Sequence, residues 1–281
     1  MNWQVYEIVL RLRSPMHIGC GKVGNLLRTR GYVLGRVLWG ALTMRLTRLQ
    51  PGPAADSRLY RAMGDRIHQS LAYTYLYPAL KQGTTFRPIW PWEEDFNSRF
   101  LGSYASTALS YPQQTAEEGA LHEVEFISPF TNDTGQPVHL LGYLVTREDA
   151  PDWRAVLGQI QLGAERCYGW GWVEPANDPL PLQDEAPLFG GDARIELANH
   201  DRPFICLEDG KPLLAHAHLS GLPAAGAVEP LVGREWRSDN LAHCYAGQHV
   251  EFAGIYFQPG SKILQSQRFQ IGHFGLWTPV P

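Results

Sequence analysis

The sequence predicts an α+β protein whose first half is built on an antiparallel sheet. The segment "VYEIVLRLR" alternates between two sets of side chains with the period of two that is typical of a strand. By contrast, "RVLWGALTMRLTRL" repeats its leucines at helical spacing. The chain also contains 28 glycines and 21 prolines among 281 residues, which favours short strands and turns over long helices.

The first strand and the first helix are the most regular segments. In the strand, one face is expected to carry Tyr6, Ile8, Leu10 and Leu12, and the other face Val5, Glu7, Val9, Arg11 and Arg13. A loop or short hairpin with five glycines follows. The helix then places one leucine stripe toward the core, and "QPGP" ends it. The stripe consists of Leu38, Leu42, Leu46 and Leu49.

Residues 51–115 are interpreted as a partly structured insertion. After it, "LHEVEFISPF" and "PVHLLGYLVT" are predicted strands, and the turn residues "TNDTGQ" predict that they pair as a hairpin. "DAPDWRAVLGQIQ" is a predicted helix with Asp149 or Asp152 as its N-cap, and it is expected to bury Trp153, Val156, Leu157 and Ile160. A last strand is expected from Tyr168 to Val173.

This order of elements is that of the ferredoxin-like (RRM-like) fold, with helices on one face of an antiparallel sheet. The N-terminal domain is therefore predicted over residues 1–175. Residues 176–193 are rich in proline and acidic residues and are interpreted as a linker. Residues 194–281 contain mostly strand-like segments, which predicts a second, strand-rich and degenerate ferredoxin-like domain.

The net charge of −4 conceals a strongly uneven distribution. No Asp or Glu occurs from Ile8 to Ala55, so that this segment carries +8 and the remainder −12. The segment contains Arg11, Arg13, Lys22, Arg28, Arg30, Arg36, Arg45 and Arg48. A basic surface on an acidic body is expected of a protein that binds a polyanion on one side. The alternative is a solvated basic face without a ligand.

The cysteines and the apolar segments of the chain indicate its cellular compartment. The four cysteines are Cys20, Cys167, Cys206 and Cys244. They lie far apart without CxxC spacing, which indicates free thiols and a cytoplasmic location. Apolar runs such as "HLLGYLV" are shorter than the roughly 20 residues of a membrane helix, and "MNWQVYEIVLRLR" lacks the pattern of a signal peptide. No membrane association and no cofactor are expected.

A zinc site is a minor alternative. Cys206, His216, His218 and His243 offer ligand types that zinc prefers, but a second closely spaced pair is missing. We expect instead that His216 and His218 share one face of an exposed strand, and we predict no metal site.

The segment "QLGAERCYGWGWVEP" combines three glycines with aromatic and charged residues. The glycines follow a predicted helix and precede a strand, which is the wrong order for a dinucleotide fold, and no GK[ST] or GxSxG motif is present. Glycines allow backbone amides to approach phosphates, Arg166 adds charge, and Tyr168 or Trp170 can stack on a base. The alternative is a tight turn whose tryptophans lie in the core.

Four segments together resemble the signatures of the RAMP superfamily of CRISPR-associated proteins. In chain order they are "LRLRSPMHIGCGK", "GYVLGRVLWGALTMRL", "TAEEGALHEVEFI" and "LGAERCYGWGWV". Positions that keep the family pattern are Gly35, Gly40, Ala41, Leu42, Gly163, Glu165, Arg166, Gly169, Gly171 and Val173. Leu34 replaces the usual proline, and Ala164 replaces the second glycine of the loop.

The resemblance covers most of residues 5–174 and implies RRM-like domains and RNA binding. "GAVEPLVGREW" and "YFQPGSKI" are similar to the second domain of the subunit that caps the 5′ end of the guide in type III (III-D-like) effector complexes. Such a subunit would bind the repeat-derived 5′ tag of the crRNA, beside the large polymerase-like subunit and the RAMP backbone subunits. The RNA-binding residues are then expected to be His17, Lys22, Arg28, Arg30, Arg36, Arg45, Gly163, Arg166, Tyr168, Gly169, Trp170 and Gly171.

Two other function classes remain open at this point. RAMP relatives include guide-processing endoribonucleases, for which His17 would be the general base, and metal-dependent slicing subunits, for which Asp65, Asp95 and Asp133 are loop candidates. A scaffold that does not touch RNA is the third class. Because no paired carboxylates and no His–Asp spacing occur, we predict a protein without catalytic residues.

Overall fold

The computed structural model describes residues 3–197, 201–238, 247 and 249–280. Over these residues the chain is strand-rich and combines several sheets with three α-helices, which confirms the α+β prediction. Among the described residues, no helix combines the length and the apolar composition that a membrane span requires. The helices are α1 (Gly35–Leu49), α2 (Ser57–Ser70) and α3 (Phe96–Phe100).

The strands of the first half form two main sheets. They are β1 (Trp3–Leu12), β2 (Gly19–Val23), β3 (Leu26–Thr29), β4 (Leu71–Tyr73), β5 (Tyr77–Gln82), β6 (Thr85–Pro88), β7 (Leu101–Ser106), β8 (Leu109–Ser110), β9 (Thr115–Ala116), β10 (His122–Ile127), β11 (His139–Arg147), β12 (Val173–Pro175) and β13 (Leu180–Leu182). The first sheet has the order β12-β1-β11-β5-β6, to which β4 and β13 add short antiparallel pairings. The second sheet has the order β2-β3-β10-β7.

Strand β1 lies in the middle of the first sheet and is buried on both faces. Ile8, Leu10 and Leu12 pack against Leu38, Leu42 and Leu46 of α1 in one apolar core. The opposite face, with Val5 and Val9, belongs to a core shared with the second half of the chain. Both faces of the strand therefore make apolar contacts. This is why hydrophobic residues occur on both faces of β1 rather than on one face only. Leu49, the last residue of α1, is 55% exposed, so its predicted place in the core is wrong.

The predicted hairpin between residues 121–130 and 137–146 is wrong. Strand β11 pairs with β1 on one side and with β4 and β5 on the other, which leaves no edge for β10. Strand β10 instead pairs with β3 and β7 in the second sheet. The predicted turn does form, and in it the N–H of Gly135 donates to Thr131 O. However, this turn connects strands of two different sheets. Strands β4 to β6 lie inside the region interpreted as an insertion.

The helix predicted over residues 149–161 is a shorter 3₁₀ helix, Arg154–Gln159. Pro151 and Gly158 both disfavour a longer α-helix. Its apolar residues are buried as expected: Trp153, Val156, Leu157 and Ile160. The N-cap residue is Trp153, so the predicted cap at Asp149 or Asp152 is wrong, although Asp152 Oδ1 accepts a hydrogen bond from the backbone N–H of Ala155 at 3.3 Å.

The second half of the chain forms one large sheet. Its strands are β14 (Pro187–Leu188), β15 (Ala193–Glu196), β16 (Phe204–Leu207), β17 (Ala217–His218), β18 (Ala224–Ala225), β19 (Val228–Glu235), β20 (His249–Phe257), β21 (Lys262–Ile263), β22 (Gln267–Ile271) and β23 (Trp277–Val280). Eight of them follow the order β14-β15-β16-β22-β23-β17-β20-β19. Residues 176–193, interpreted as a linker, supply β13, which pairs with β1, and β14.

Candidate nucleic-acid interface

The glycine-rich segment 161–172 is a compact loop in front of β12. Arg166–Tyr168 form a single 3₁₀ turn, and the strand begins only at Val173. The predicted strand from Tyr168 is therefore wrong. The reason is the backbone: Glu165, Gly169 and Gly171 have φ of 56°, 80° and 77°, which excludes extended pairing.

Two of the glycines are required by close backbone contacts. A Cβ on Gly171 would lie 2.0 Å from the carbonyl oxygen of Leu162, and a Cβ on Gly163 would lie 2.3 Å from that of His17. Both residues also have positive φ. Any side chain at either position would force the loop away from the segment beneath it.

The segment beneath the loop is the one that leaves β1. The N–H of Gly171 donates to Pro15 O at 2.7 Å, and the N–H of Ala164 donates to His17 O at 2.9 Å. The N–H of Arg13 donates to Trp172 O at 2.8 Å. These bonds join the start of the basic N-terminal segment to the glycine loop.

The side chains around this junction differ sharply in exposure. Tyr168 is 79% exposed, and Arg166 is exposed with its Nη1 3.7 Å from Met44 Sδ. Lys22 lies on β2, whose residues are all exposed. Trp170 is half-buried, with its ring 5.2 Å from that of Phe126 and perpendicular to it. Arg166 and Tyr168 therefore project from the loop into solvent.

Sequence reasoning did not find two further exposed aromatic residues here. Trp172 is 39% exposed, and Tyr104 on β7 is 60% exposed with its ring 6.4 Å from that of Trp170. Trp172 could have been predicted from the sequence, because it belongs to the glycine-rich segment. Tyr104 lies in a region interpreted as an insertion, and only the pairing of β7 with β10 brings it to the loop.

Arg30 lies in a different environment. Its Nη1 and Nη2 donate to the two carboxylate oxygens of Glu229 at 2.6 and 2.8 Å, and its side chain is only 13% exposed. Burial disfavours the charge of Arg30, but the hydrogen bonds to Glu229 raise its pKa above the ordinary value. Burial likewise opposes the charge of Glu229, yet hydrogen bonds from His216 and Arg30 lower its pKa to about 2. This pair is a charged contact between the two halves of the chain.

The network around this pair extends through His216. Its Nε2 lies 2.6 Å from Glu229 Oε1, and its Nδ1 lies 2.7 Å from the hydroxyl of Tyr75. Burial lowers the pKa of His216. In the neutral ring, Nε2–H donates to Glu229 and Nδ1 accepts from Tyr75, so both nitrogens are satisfied. His216 is fully buried, so the expectation that it shares an exposed strand face with His218 is wrong.

The remaining predicted arginines lie between these two situations. Arg36 Nη2 lies 3.1 Å from Glu235 Oε1, and its guanidinium lies over the ring of Phe274 at 4.6 Å. Arg28 Nε donates to Glu125 at 2.9 Å, with the arginine side chain 43% exposed. Arg45 is half-buried on α1. All three of these arginines are half-buried, whereas Arg166 is exposed.

The candidate catalytic residues either have partners within the protein or lie outside the predicted loops. His17 is 5% exposed, and its Nδ1–H donates to the backbone oxygen of Glu125 at 2.7 Å. Asp95 and Asp133 both bind Arg99, and hydrogen bonds from Thr131 and Arg99 lower the pKa of Asp133 to about 2. Asp65 lies on α2, so its assignment to a loop is wrong.

The cysteine and histidine residues of the zinc alternative are dispersed. Cys206 donates to Glu196 at 2.9 Å, whereas His216 binds Tyr75 and Glu229. Burial raises the pKa of the Cys206 thiol to about 12. His243 lies outside the described residues, as does Cys244. Over the part of the chain that the structure describes, no group of three His, Cys, Asp or Glu side chains is placed to hold a metal ion.

No protein-family model matches this chain, and no curated protein matches its sequence. Among solved structures, the chain is similar to a chain of the type III-B Cmr-beta complex bound to cognate target RNA and AMPPnP, with 10% identity and a TM-score of 0.47 over 92% of this chain and 85% of that one. A chain of the complex bound to cognate target RNA gives 9% identity and a TM-score of 0.39 over 61% and 96% of the two chains. At these values neither similarity assigns the chain to a family.

Proposed function

We propose that this chain is a non-catalytic subunit of a type III CRISPR ribonucleoprotein effector that binds the repeat-derived 5′ tag of the crRNA. The observation that carries the proposal is the junction itself. Backbone hydrogen bonds hold the glycine loop on the segment after β1, and Arg166 and Tyr168 project from the loop into solvent. The sequence signatures that resemble the RAMP superfamily lie on these same two segments.

The fold of the first half supports the same proposal. We propose that β1, α1, β5, β11, the 3₁₀ helix at 154–159 and β12 form a ferredoxin-like unit. They occur in the order strand, helix, strand, strand, helix, strand, with β12 and β11 on either side of β1. In this unit the glycine loop precedes the last strand at the edge of the sheet.

The chemistry of the junction suits a single-stranded RNA. Guanidinium and ammonium groups bind phosphates, and an exposed aromatic ring stacks on a base that is not paired. Tyr168 has the exposure that such stacking requires, and Arg166 lies two residues away on the same turn. We propose that backbone phosphate contacts supply most of the affinity and that stacking adds preference for the fixed tag.

The proposed subunit lacks a catalytic role for His17. A general base must reach the 2′-hydroxyl of the RNA, whereas the ring of His17 is buried and its Nδ1 donates to Glu125 O. In the proposed complex, the large polymerase-like subunit and the RAMP backbone subunits bind the surfaces that the RNA leaves free.

The test begins with the purified chain and a fluorescent single-stranded RNA that carries a repeat-derived 5′ tag. Arg166→Glu is expected to weaken binding at least tenfold, because it replaces a phosphate-binding charge with a repulsive one. Arg87→Glu is the matched control. Arg87 is an exposed arginine on β6, at the opposite end of the strand order from β12.

Three results would contradict the proposal. Equal affinity of the Arg166→Glu and Arg87→Glu variants would indicate nonspecific basic binding. If the wild-type chain does not bind RNA but large CRISPR subunits still co-purify with it, the chain is a scaffold. Cleavage of the guide by the isolated chain, abolished by His17→Ala, would indicate an endoribonuclease.

A further inference from the structure

We infer that the RNA-binding surface continues from the glycine loop onto one face of the second sheet, where Tyr104 stacks on a base. This inference rests on the proposed function and adds a second binding region to it. The face in question, here called the Tyr104 face, consists of Lys22, Leu27, Gly102, Tyr104, Val124 and Phe126.

Strand register places these residues on one face. Lys22 pairs with Leu27 across β2 and β3, Leu27 pairs with Val124 of β10, and Val124 pairs with Tyr104 of β7. Directly paired residues project to the same side of a sheet, so the exposed side chains of Lys22 and Tyr104 lie on the same side, at its two edges. A row across the whole sheet thus runs from a cation to an aromatic ring.

Aromatic contacts join this face to the glycine loop. The ring of Phe126 covers Gly102, its register partner, where a Cβ would lie 2.8 Å from Phe126 Cζ. Trp170 of the loop meets Phe126 edge to face at 5.2 Å and Tyr104 at 6.4 Å. Trp170 and Phe126 are half-buried in these contacts, which leaves the Tyr104 ring as the exposed end of a continuous aromatic surface.

The distribution of charge favours RNA over a protein as the occupant. The acidic residues of β10, Glu123 and Glu125, alternate with Val124 and Phe126 and so belong to the opposite face. Glu125 is further engaged there by Arg28 and by the N–H of Thr29, both at 2.9 Å. The Tyr104 face therefore presents a cation and aromatic rings without a carboxylate, a combination that suits phosphates and unpaired bases.

The decisive variant is Tyr104→Ala, compared with Tyr104→Phe. Loss of a stacked base is expected to weaken binding of a tagged single-stranded RNA by about 5- to 150-fold, whereas Tyr104→Phe keeps the ring and stays within about twofold. Ser103→Ala, on the opposite face of the same strand, is expected to bind like wild type. Urea unfolding of each variant checks that the fold is retained. A 4-thiouridine substituted in the RNA should also crosslink to the peptide that contains Tyr104.

The outcomes separate this inference from the proposed function. If Arg166→Glu loses RNA while Tyr104→Ala binds like wild type, the Tyr104 face is not part of the path and only the proposed function stands. If Tyr104→Ala keeps its RNA affinity but loses co-purifying protein subunits, the face is a protein interface and the inference is overturned. If the wild-type chain does not bind tagged RNA, both proposals fail.

Discussion

The buried network at Arg30 and the exposed junction at Arg166 use the same residue type for opposite purposes. Arg30 is paired to Glu229 through two hydrogen bonds and is almost inaccessible to solvent. Arg166 is exposed, and its one described side-chain hydrogen bond is to the sulfur of Met44. The comparison teaches that the arginine content of a segment indicates a basic surface only for those side chains that no carboxylate reaches in the fold.

The largest effect is expected from removing Arg30. Arg30→Met leaves the Glu229 carboxylate in a largely buried site without its main counter-charge, and breaking a buried pair in this way costs about 3–5 kcal/mol. We therefore expect a markedly lower urea midpoint at an unchanged slope. Arg166→Met should change the midpoint little, since the side chain is exposed. Equal urea midpoints for the two variants would show that Arg30 contributes no more to stability than the exposed Arg166.

This result bears on how RNA binding can be tested. A charge reversal at Arg30 would repel Glu229 and unfold the contact between the halves, so loss of guide retention in such a variant says nothing about RNA. Arg166, whose side chain is exposed, is the informative position.

A second prediction tests whether the exposed junction is as rigid as the buried network. Gly171→Ala is expected to destabilise the chain by about 2–3 kcal/mol, since its Cβ would collide with Leu162 O at a positive φ. Gly169→Ala is the matched control, because its φ is also positive but no atom lies within 4 Å of its Cβ. Thermal unfolding of both variants measures the difference. A loop that tolerates both substitutions equally would be loose rather than held by its backbone contacts.

The third prediction uses pH to distinguish buried from exposed contacts. His68 stacks between Trp39 and His273, and Arg202 donates to its backbone oxygen. Burial, followed by the charges of His273 and Arg202, lowers the pKa of His68 to about 3. Because the unfolded chain binds this proton near pH 6.5, stability is full above that pH and is lost as pH falls from about 6.5 to 3.

The expected slope is up to about 1.4 kcal/mol per pH unit for this one histidine. Urea unfolding at pH 7, 6, 5 and 4 measures it, and His68→Phe, which retains a ring for stacking, should flatten the curve. Other groups with shifted pKa values, such as His216, whose pKa burial lowers, add to the pH dependence. An unchanged curve in the variant would show that His68 is not the group that titrates.

The smallest effect is expected at Lys22. Lys22→Gln removes one exposed charge, so stability should change by less than about 0.5 kcal/mol. If the ammonium contacts one phosphate, the slope of log affinity against log salt for single-stranded RNA should become shallower by about 0.7. Titrations at several salt concentrations give this slope. A slope equal to that of wild type would place the RNA path away from β2.

Some features of the site could be predicted from residues alone. The glycines and Arg166 mark a tight loop, and Leu38, Leu42 and Leu46 mark the buried face of a helix. Tyr104 could not be found in this way, because nothing in "LGSYAS" says that it pairs with β10. The error over β10 has the same origin: a good turn sequence predicts a reversal of the chain, but which edge of β11 is free depends on strands far away.

The α+β composition, the acid-free basic segment and the position of the glycine loop can be read from the residues alone, because they depend on local spacing and on backbone freedom. Which cations stay exposed depends on contacts made in the folded chain. Glu229 lies 199 residues after Arg30 and yet binds it with both carboxylate oxygens. A charge acquires its role from the partners and the solvent that folding brings to it, and those contacts are non-local.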